Sequence, residues 1–229
     1  MIPRKDTHCP HTMHILFFDT ETNGLPRTRC NPTAADYPSI VQLAWQLWES
    51  TPTGNRLLSR HSHIVRPPMN IVWNLESQGF HKITHQQAMD EGMYASDVIR
   101  LFRDDLGTAD MIVAHNLTFD FEVLNAEAER RGIPPLVWPA RSLCTMKESK
   151  DFCKLPSASR HHSDYKYPKL SELHTLLFGS TDDITFHNAD HDVEATQQCF
   201  YDLIRRRVLR RPDDRLFLET FLEADASAL

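Results

Sequence analysis

Apolar residues fall along this chain in two rhythms, one of period two and one near period 3.6. Met13-His14-Ile15-Leu16-Phe17-Phe18-Asp19 is a short apolar run ending in an acid, the pattern of a buried strand whose polar end lies at a sheet edge. Thr20 to Pro38 mixes Gly24 with prolines and asparagines and reads as an irregular loop. Ser39 to Glu49 alternates through Ile40, Leu43, Trp45 and Leu47, and Leu57 to Val65 is a second extended run. The turn residues Thr51-Pro52-Thr53-Gly54-Asn55 between them predict a hairpin.

Helical spacing takes over next. Thr84 is placed to cap a short helix, and Ser96 precedes Asp97-Val98-Ile99-Arg100-Leu101-Phe102, with Gly107 as a stop. Asp110 to His115 is another short apolar strand. The helix after it runs from about Thr118 to Arg131 and ends at Gly132, with Pro134 and Pro135 barring continuation. Ser142 to Met146 predicts a last strand and Lys150 to Lys169 a long loop or partly ordered segment. Helices return over Leu170–Phe178, Ala189–Val208 and Asp214–Glu223. This order predicts an α/β fold, a mixed sheet covered by helices. The organisation expected is one domain over residues 13–208, a mobile segment before it (1–12), and a helical extension packed on it (209–229).

Composition narrows the setting. The chain has 229 residues, 41% hydrophobic and 24% charged, within the ordinary range for a globular domain. No run approaches the ~20 apolar residues of a membrane span, and the first residues lack an apolar signal core, so a cytoplasmic protein is expected. Five scattered cysteines without a Cys-x-x-Cys pair fit neither a disulfide framework nor a zinc ribbon. The histidines around His8, His11 and His14 match no familiar zinc-ligand spacing. The net charge of −6 looks wrong for a nucleic-acid enzyme, but it governs the long-range field and not a local groove. Between Arg141 and Leu170 the balance reverses, with seven Lys or Arg against three Asp or Glu.

Three acidic clusters carry the chemistry. Asp19 and Glu21 stand one residue apart at a strand end, where alternate side chains share a face. Asp120 follows His115 and Asn116 in the first turn of a helix, and Asp192 begins another, five residues after His187. Singly, each has a plain structural explanation, since acids favour helix N-termini and strand ends are solvated. Together, four carboxylates and one histidine suit phosphodiester hydrolysis with two divalent ions and a proton acceptor. Gly-x-Gly-x-x-Gly and Gly-Lys-Ser/Thr loops are absent, which disfavours a nucleotide-cofactor enzyme.

Phe18-Asp19-Thr20-Glu21-Thr22-Asn23-Gly24-Leu25, His115-Asn116-x-x-Phe119-Asp120 and His187-x-Ala189-x-x-Asp192, in that order, resemble the three motifs of the DEDDh (DnaQ-like) 3′→5′ exonucleases. That family includes the proofreading subunit of bacterial DNA polymerase III, exonuclease X and RNase T. The resemblance covers roughly Met13 to Arg207 and implies an RNase H-like fold with a five-stranded mixed sheet. It implies two Mg²⁺ ions, with Mn²⁺ as a substitute. Asp19, Glu21 and Asp192 would hold one ion, Asp19 would bridge to the second, and Asp120 would act there. His187 would be the general base, with His191 the second choice. Thr22, Gly24, Leu25, Asn116 and Phe119 would line the pocket for the 3′-terminal nucleotide. The implied substrate is the 3′ end of nucleic acid, single-stranded DNA first and RNA as the alternative, in roles such as proofreading or repair. A non-catalytic binding domain is a third reading, and polymerase association or a homodimer are open.

Overall fold

The computed structural model describes residues 12–28, 30–51, 54–157, 165–179 and 186–208. The first apolar run forms β1 (Met13–Thr22), and the hairpin expected after it forms β2 (Ile40–Thr51) and β3 (Gly54–Arg66). β1 and β2 run antiparallel from Met13↔Ser50 to Glu21↔Gln42, with the register slipping between Glu21 and Thr22. Two four-residue strands, β5 (Met111–Ala114) and β6 (Arg141–Cys144), add parallel to the other side of β1. The sheet order is β4-β3-β2-β1-β5-β6, with β4 (Met93–Tyr94) at one edge.

That makes six strands, one more than the five expected. The addition, β4 (Met93–Tyr94), is two residues long and lies parallel to the end of β3. It is brought there by Gly92: a Cβ on this residue would stand 2.6 Å from the Arg66 backbone nitrogen and 2.2 Å from the Ala88 carbonyl oxygen. Only a bare Cα permits so close a crossing.

Helices α1 (Leu75–His81), α2 (His85–Glu91), α3 (Ala95–Leu106), α4 (Leu117–Arg130), α5 (Thr145–Glu148), α6 (Lys150–Cys153), α7 (Leu170–Phe178) and α8 (Ala189–Arg205) complete the described fold. Thr84 caps α2 by accepting from the Gln87 N–H at 3.0 Å, as its sequence context predicts. Several expectations change. The last strand begins one residue earlier and gives way to α5, and α6 occupies the start of the expected long loop. Helix α1, capped by the Asn74 side chain on the Ser77 N–H at 3.0 Å, was not anticipated. α8 ends at Arg205 and not Val208. The expected helix Asp214–Glu223 and the segment 1–11 lie outside the described residues.

Alternation along β1 divides the core. Ile15 and Phe17 face α7 and α8, packing with Leu173, Val193 and Phe200. Leu16 and Phe18 face α3 and α4, packing with Ile99, Phe102 and Val123. Each of these apolar side chains is fully buried, and such burial contributes about 1.5–3 kcal/mol per residue. The strand is therefore pinned from both sides, and the parity of its last residues is fixed.

Candidate active site

Parity decides where the acids of β1 go. Asp19 and Glu21 continue the Ile15–Phe17 face and so point toward α8, whose first turn carries Asp192. Thr20 continues the opposite face, toward α4. There its backbone N–H (3.1 Å) and its hydroxyl (2.7 Å) both donate to Asp120 Oδ1. The end of β1 thus presents two carboxylates directly and holds a third through Thr20.

Helix α8 is seated by a polar side chain from the sheet. Gln42 on β2 is buried, and its Oε1 accepts from the Ala189 N–H at 3.1 Å while its Nε2 donates to Ser62 Oγ at 3.1 Å. Asn188 caps the helix by accepting from the Asp190 N–H at 3.1 Å. His187, just before it, adopts a positive φ of 66°, and its backbone N–H donates to Asp192 Oδ2 at 3.1 Å. Asn116, before α4, also has a positive φ, 74°. Left-handed backbone at two non-glycine residues beside one cleft marks conformations that the surrounding structure imposes.

The donor atoms of Glu21, His187 and Asp192 all lie within 4.8 Å of one another. Asp19, the residue expected to bridge two ions, and Asp120 stand outside that group but are coupled to it electrostatically. Burial, then repulsion from Asp120, Asp192 and Glu21, holds the Asp19 carboxyl well above the usual range. Burial, then repulsion from Asp192 and Asp120, raises Glu21 to about 8. Burial pushes Asp120 to about 7 against the pull of the Thr20 hydrogen bonds, and Asp192 likewise to about 7. Four carboxylates so placed cannot all ionise without a compensating cation. Asp192 Oδ1 is buried with no hydrogen-bond partner. The donor set is oxygen-rich, which fits hard divalent cations such as Mg²⁺ or Mn²⁺.

The cleft in front of these groups has a volume of about 620 Å³. Among the residues expected to contact substrate, Leu25, Asn116 and Phe119 line it. Gly24 instead lines a neighbouring cavity that shares Leu25, and Thr22 is buried, its hydroxyl donating to the Gly24 carbonyl at 2.8 Å. Gly24 has φ +123°, a backbone that side chains rarely tolerate. His191 is not among the lining residues.

Phe80, Tyr167, Lys169 and Phe186 also line the cleft and were not singled out from sequence. The Phe80 ring tilts 59° against the exposed His187 imidazole, centroids 5.4 Å apart. Partial burial, then Lys169 and Lys82, hold His187 below its ordinary pKa, so its imidazole is neutral near pH 7. The segment carrying Tyr167 and Lys169 is pinned by His115, whose Nε2 faces the Pro168 carbonyl at 3.1 Å and whose Nδ1 faces the Thr145 hydroxyl at 2.9 Å. A carbonyl only accepts, so the proton sits on Nε2; burial drives this histidine to about 4 and keeps it uncharged. His115 therefore shapes the cleft wall.

A mixed sheet flanked by helices, with an acidic cleft at the end of its central strand, defines the RNase H-like class. Solved structures share this fold with the chain. A zinc-bound exonuclease I–single-stranded DNA complex from E. coli superposes with a TM-score of 0.67 at 18% identity, over 90% of this chain and 43% of that one. The E. coli enzyme with a dA16 oligonucleotide gives 0.65 at 19% identity, over 91% and 43%. A moderately thermophilic exonuclease I from Methylocaldum szegediense gives 0.62 at 18% identity, over 85% and 41%. The chain thus spans less than half the length of these exonuclease I chains. No protein-family model and no curated protein sequence matches it.

Proposed function

We propose that the chain is a metal-dependent 3′→5′ exonuclease that releases nucleoside 5′-monophosphates from single-stranded DNA. The observation that carries this reading is the convergence of Asp19, Glu21, Asp120 and Asp192 with His187 in one cleft, together with the unsatisfied buried oxygen of Asp192. The fold shared with exonuclease I, solved in complex with single-stranded DNA, supports the choice of substrate.

In this reading Asp19, Glu21 and Asp192 would hold one Mg²⁺ and Asp120 would act at a second, with Mn²⁺ as a substitute. Such ions supply charge neutralisation at the scissile phosphate and acidify a bound water. The chain's own residues supply position and proton transfer. Neutral His187 accepts a proton on an imidazole nitrogen, and its depressed pKa keeps it able to do so near pH 7. Thr20 orients Asp120, and the backbone N–H of His187 orients Asp192. Leu25 and Phe119 offer apolar surface to the terminal base, Asn116 offers a polar group, and the Thr22–Gly24 turn sets the approach of the backbone.

Incubating the purified protein with 5′-labelled DNA and RNA of one sequence tests the proposal. Stepwise shortening from the 3′ end with Mg²⁺, abolished by EDTA and by Asp19→Asn, is expected, faster on DNA. Faster shortening of RNA would reassign the substrate, and no release of mononucleotides from either would overturn the reading. No helix among the described residues is long and apolar enough to cross a membrane.

A further inference from the structure

Next to the acidic cleft lies a second cavity of about 510 Å³, with Leu25 in the wall of both. Its other walls include Arg27, Tyr37, Asn70, Val72 and Asn74. A third cavity, about 280 Å³, continues from the same chain segment and is lined by Arg66, Pro68, Met69, Met89 and Tyr94. Three apolar side chains along this series are almost entirely open to solvent: Leu25 at 77%, Val72 at 88% and Met69 at 91%. Surface apolar residues are ordinary singly, but a row beside a catalytic cleft calls for an occupant.

The charge along the row identifies it. Arg131, also at the third cavity, is spent on Glu127, its Nε donating at 2.8 Å. Arg66 has no ion-pair partner among the described residues. Its guanidinium lies over the Tyr94 ring, 5.3 Å from the centroid, and its Nε is buried without a hydrogen-bond partner. An arginine held in place by an aromatic ring yet left without an anion is pre-arranged for one. Sheet register gives its distance from the cleft. Glu21 pairs with Gln42 and Gln42 with Ile64, so Arg66 stands two strand spacings across (about 10 Å) and two residues along (about 7 Å) from Glu21. A single strand a few nucleotides long covers that span.

Resting on the exonuclease reading, we propose that Leu25, Val72, Met69 and Arg66 form an upstream track for the nucleic-acid strand: apolar side chains meet successive bases and Arg66 meets a phosphate. A cationic groove with aromatic faces for the bases holds single strands without reading sequence, and Arg66 over Tyr94 supplies a cation and a ring of that kind beside the apolar row. The track makes affinity depend on substrate length, because a dinucleotide fills the cleft and does not reach Arg66.

Equilibrium binding of a fluorescein-labelled oligothymidine, measured in EDTA over a range of salt, tests this without requiring hydrolysis. Arg66→Gln is expected to lower the slope of log Kd against log salt by about 0.7, the contribution of one single-strand phosphate contact. Val72→Asp, at a solvent-exposed position, is expected to weaken binding by about fivefold or more. With Mg²⁺, both variants raise KM for the long oligomer and leave KM for a thymidine dinucleotide as in the wild type. An unchanged salt slope in Arg66→Gln, unchanged binding by Val72→Asp, or equal losses on long and short substrates overturns the track. A wild type that binds the oligomer but releases no nucleotide overturns the exonuclease reading instead, and leaves the binding slopes to judge the track.

Discussion

In the proposed metal site, Asp192 has two unlike oxygens: one accepts the His187 backbone N–H, and the other is buried without a hydrogen-bond partner. Protons and metal ions compete for the carboxylates around it, and those carboxylates hold protons up to about 7 or about 8. At limiting Mg²⁺, activity should therefore climb as pH rises through neutrality, and saturating Mg²⁺ should move that limb to lower pH. A pH–rate profile at two Mg²⁺ concentrations checks this; superimposable limbs would contradict it. His187 contributes differently. Its pKa is depressed, so the neutral base persists below the ordinary histidine range, and the acid limb belongs to the carboxylates. His187→Ala should lower kcat by about 10²–10⁴-fold with Mg²⁺ affinity nearly kept. The exposed ring contributes little to the core, so its melting temperature should match the wild type.

Among the elements, β2 does more than fill the sheet. Gln42 reaches from it to the first N–H of α8, so the helix carrying Asp192 is registered against the strand that pairs with Glu21. Gln42→Leu leaves that N–H buried and unpaired, and a loss of about 1–2 kcal/mol in urea unfolding is expected, with weaker Mg²⁺ binding. Arg60 ties β3 to the same helix through Asp190 at 2.8 Å, but in partial exposure; Arg60→Ala should cost less than about 1 kcal/mol. Elements differed just as sharply in how visible they were from sequence. β1 and β5 announce themselves as continuous apolar runs buried on both faces, and α4 and α8 as helical stripes buried on one. α1 does not: Leu75 and Phe80 are exposed and only His81 is buried, so no stripe betrays it. α5 and α6, at four residues each, and β4, at two, are too short for any period to register. The acids were legible because strand parity and helix first turns place them locally. Phe80, Tyr167, Lys169 and Phe186 reach the cleft only through tertiary contacts such as His115 to Pro168, and no local pattern encodes those.

For the whole molecule, the cleft is a cost to folding that a bound cation, as proposed above, would offset. In the unfolded chain the carboxylates titrate near 4, whereas in the fold Asp120 and Asp192 titrate at about 7, Glu21 at about 8, and Asp19 well above its usual range. Between these limits the native state holds more protons than the unfolded state, so the stability of the metal-free protein falls as pH rises from about 4 to about 8. This is the reverse of a protein whose acids are stabilised by salt bridges. Thermal unfolding in EDTA should show a melting temperature that drops across that window. Mg²⁺ should restore it at the alkaline end, because an ion that binds only the native state adds stability by mass action. Asp19→Asn removes the acid most burdened by its neighbours. It should raise metal-free stability at about pH 8 by about 1–3 kcal/mol, flatten the pH dependence and abolish the gain from Mg²⁺, while eliminating nuclease activity. A metal-free melting temperature that is constant from about pH 5 to about pH 8, or that rises with pH, would show that the four carboxylates do not crowd one another as the structure places them.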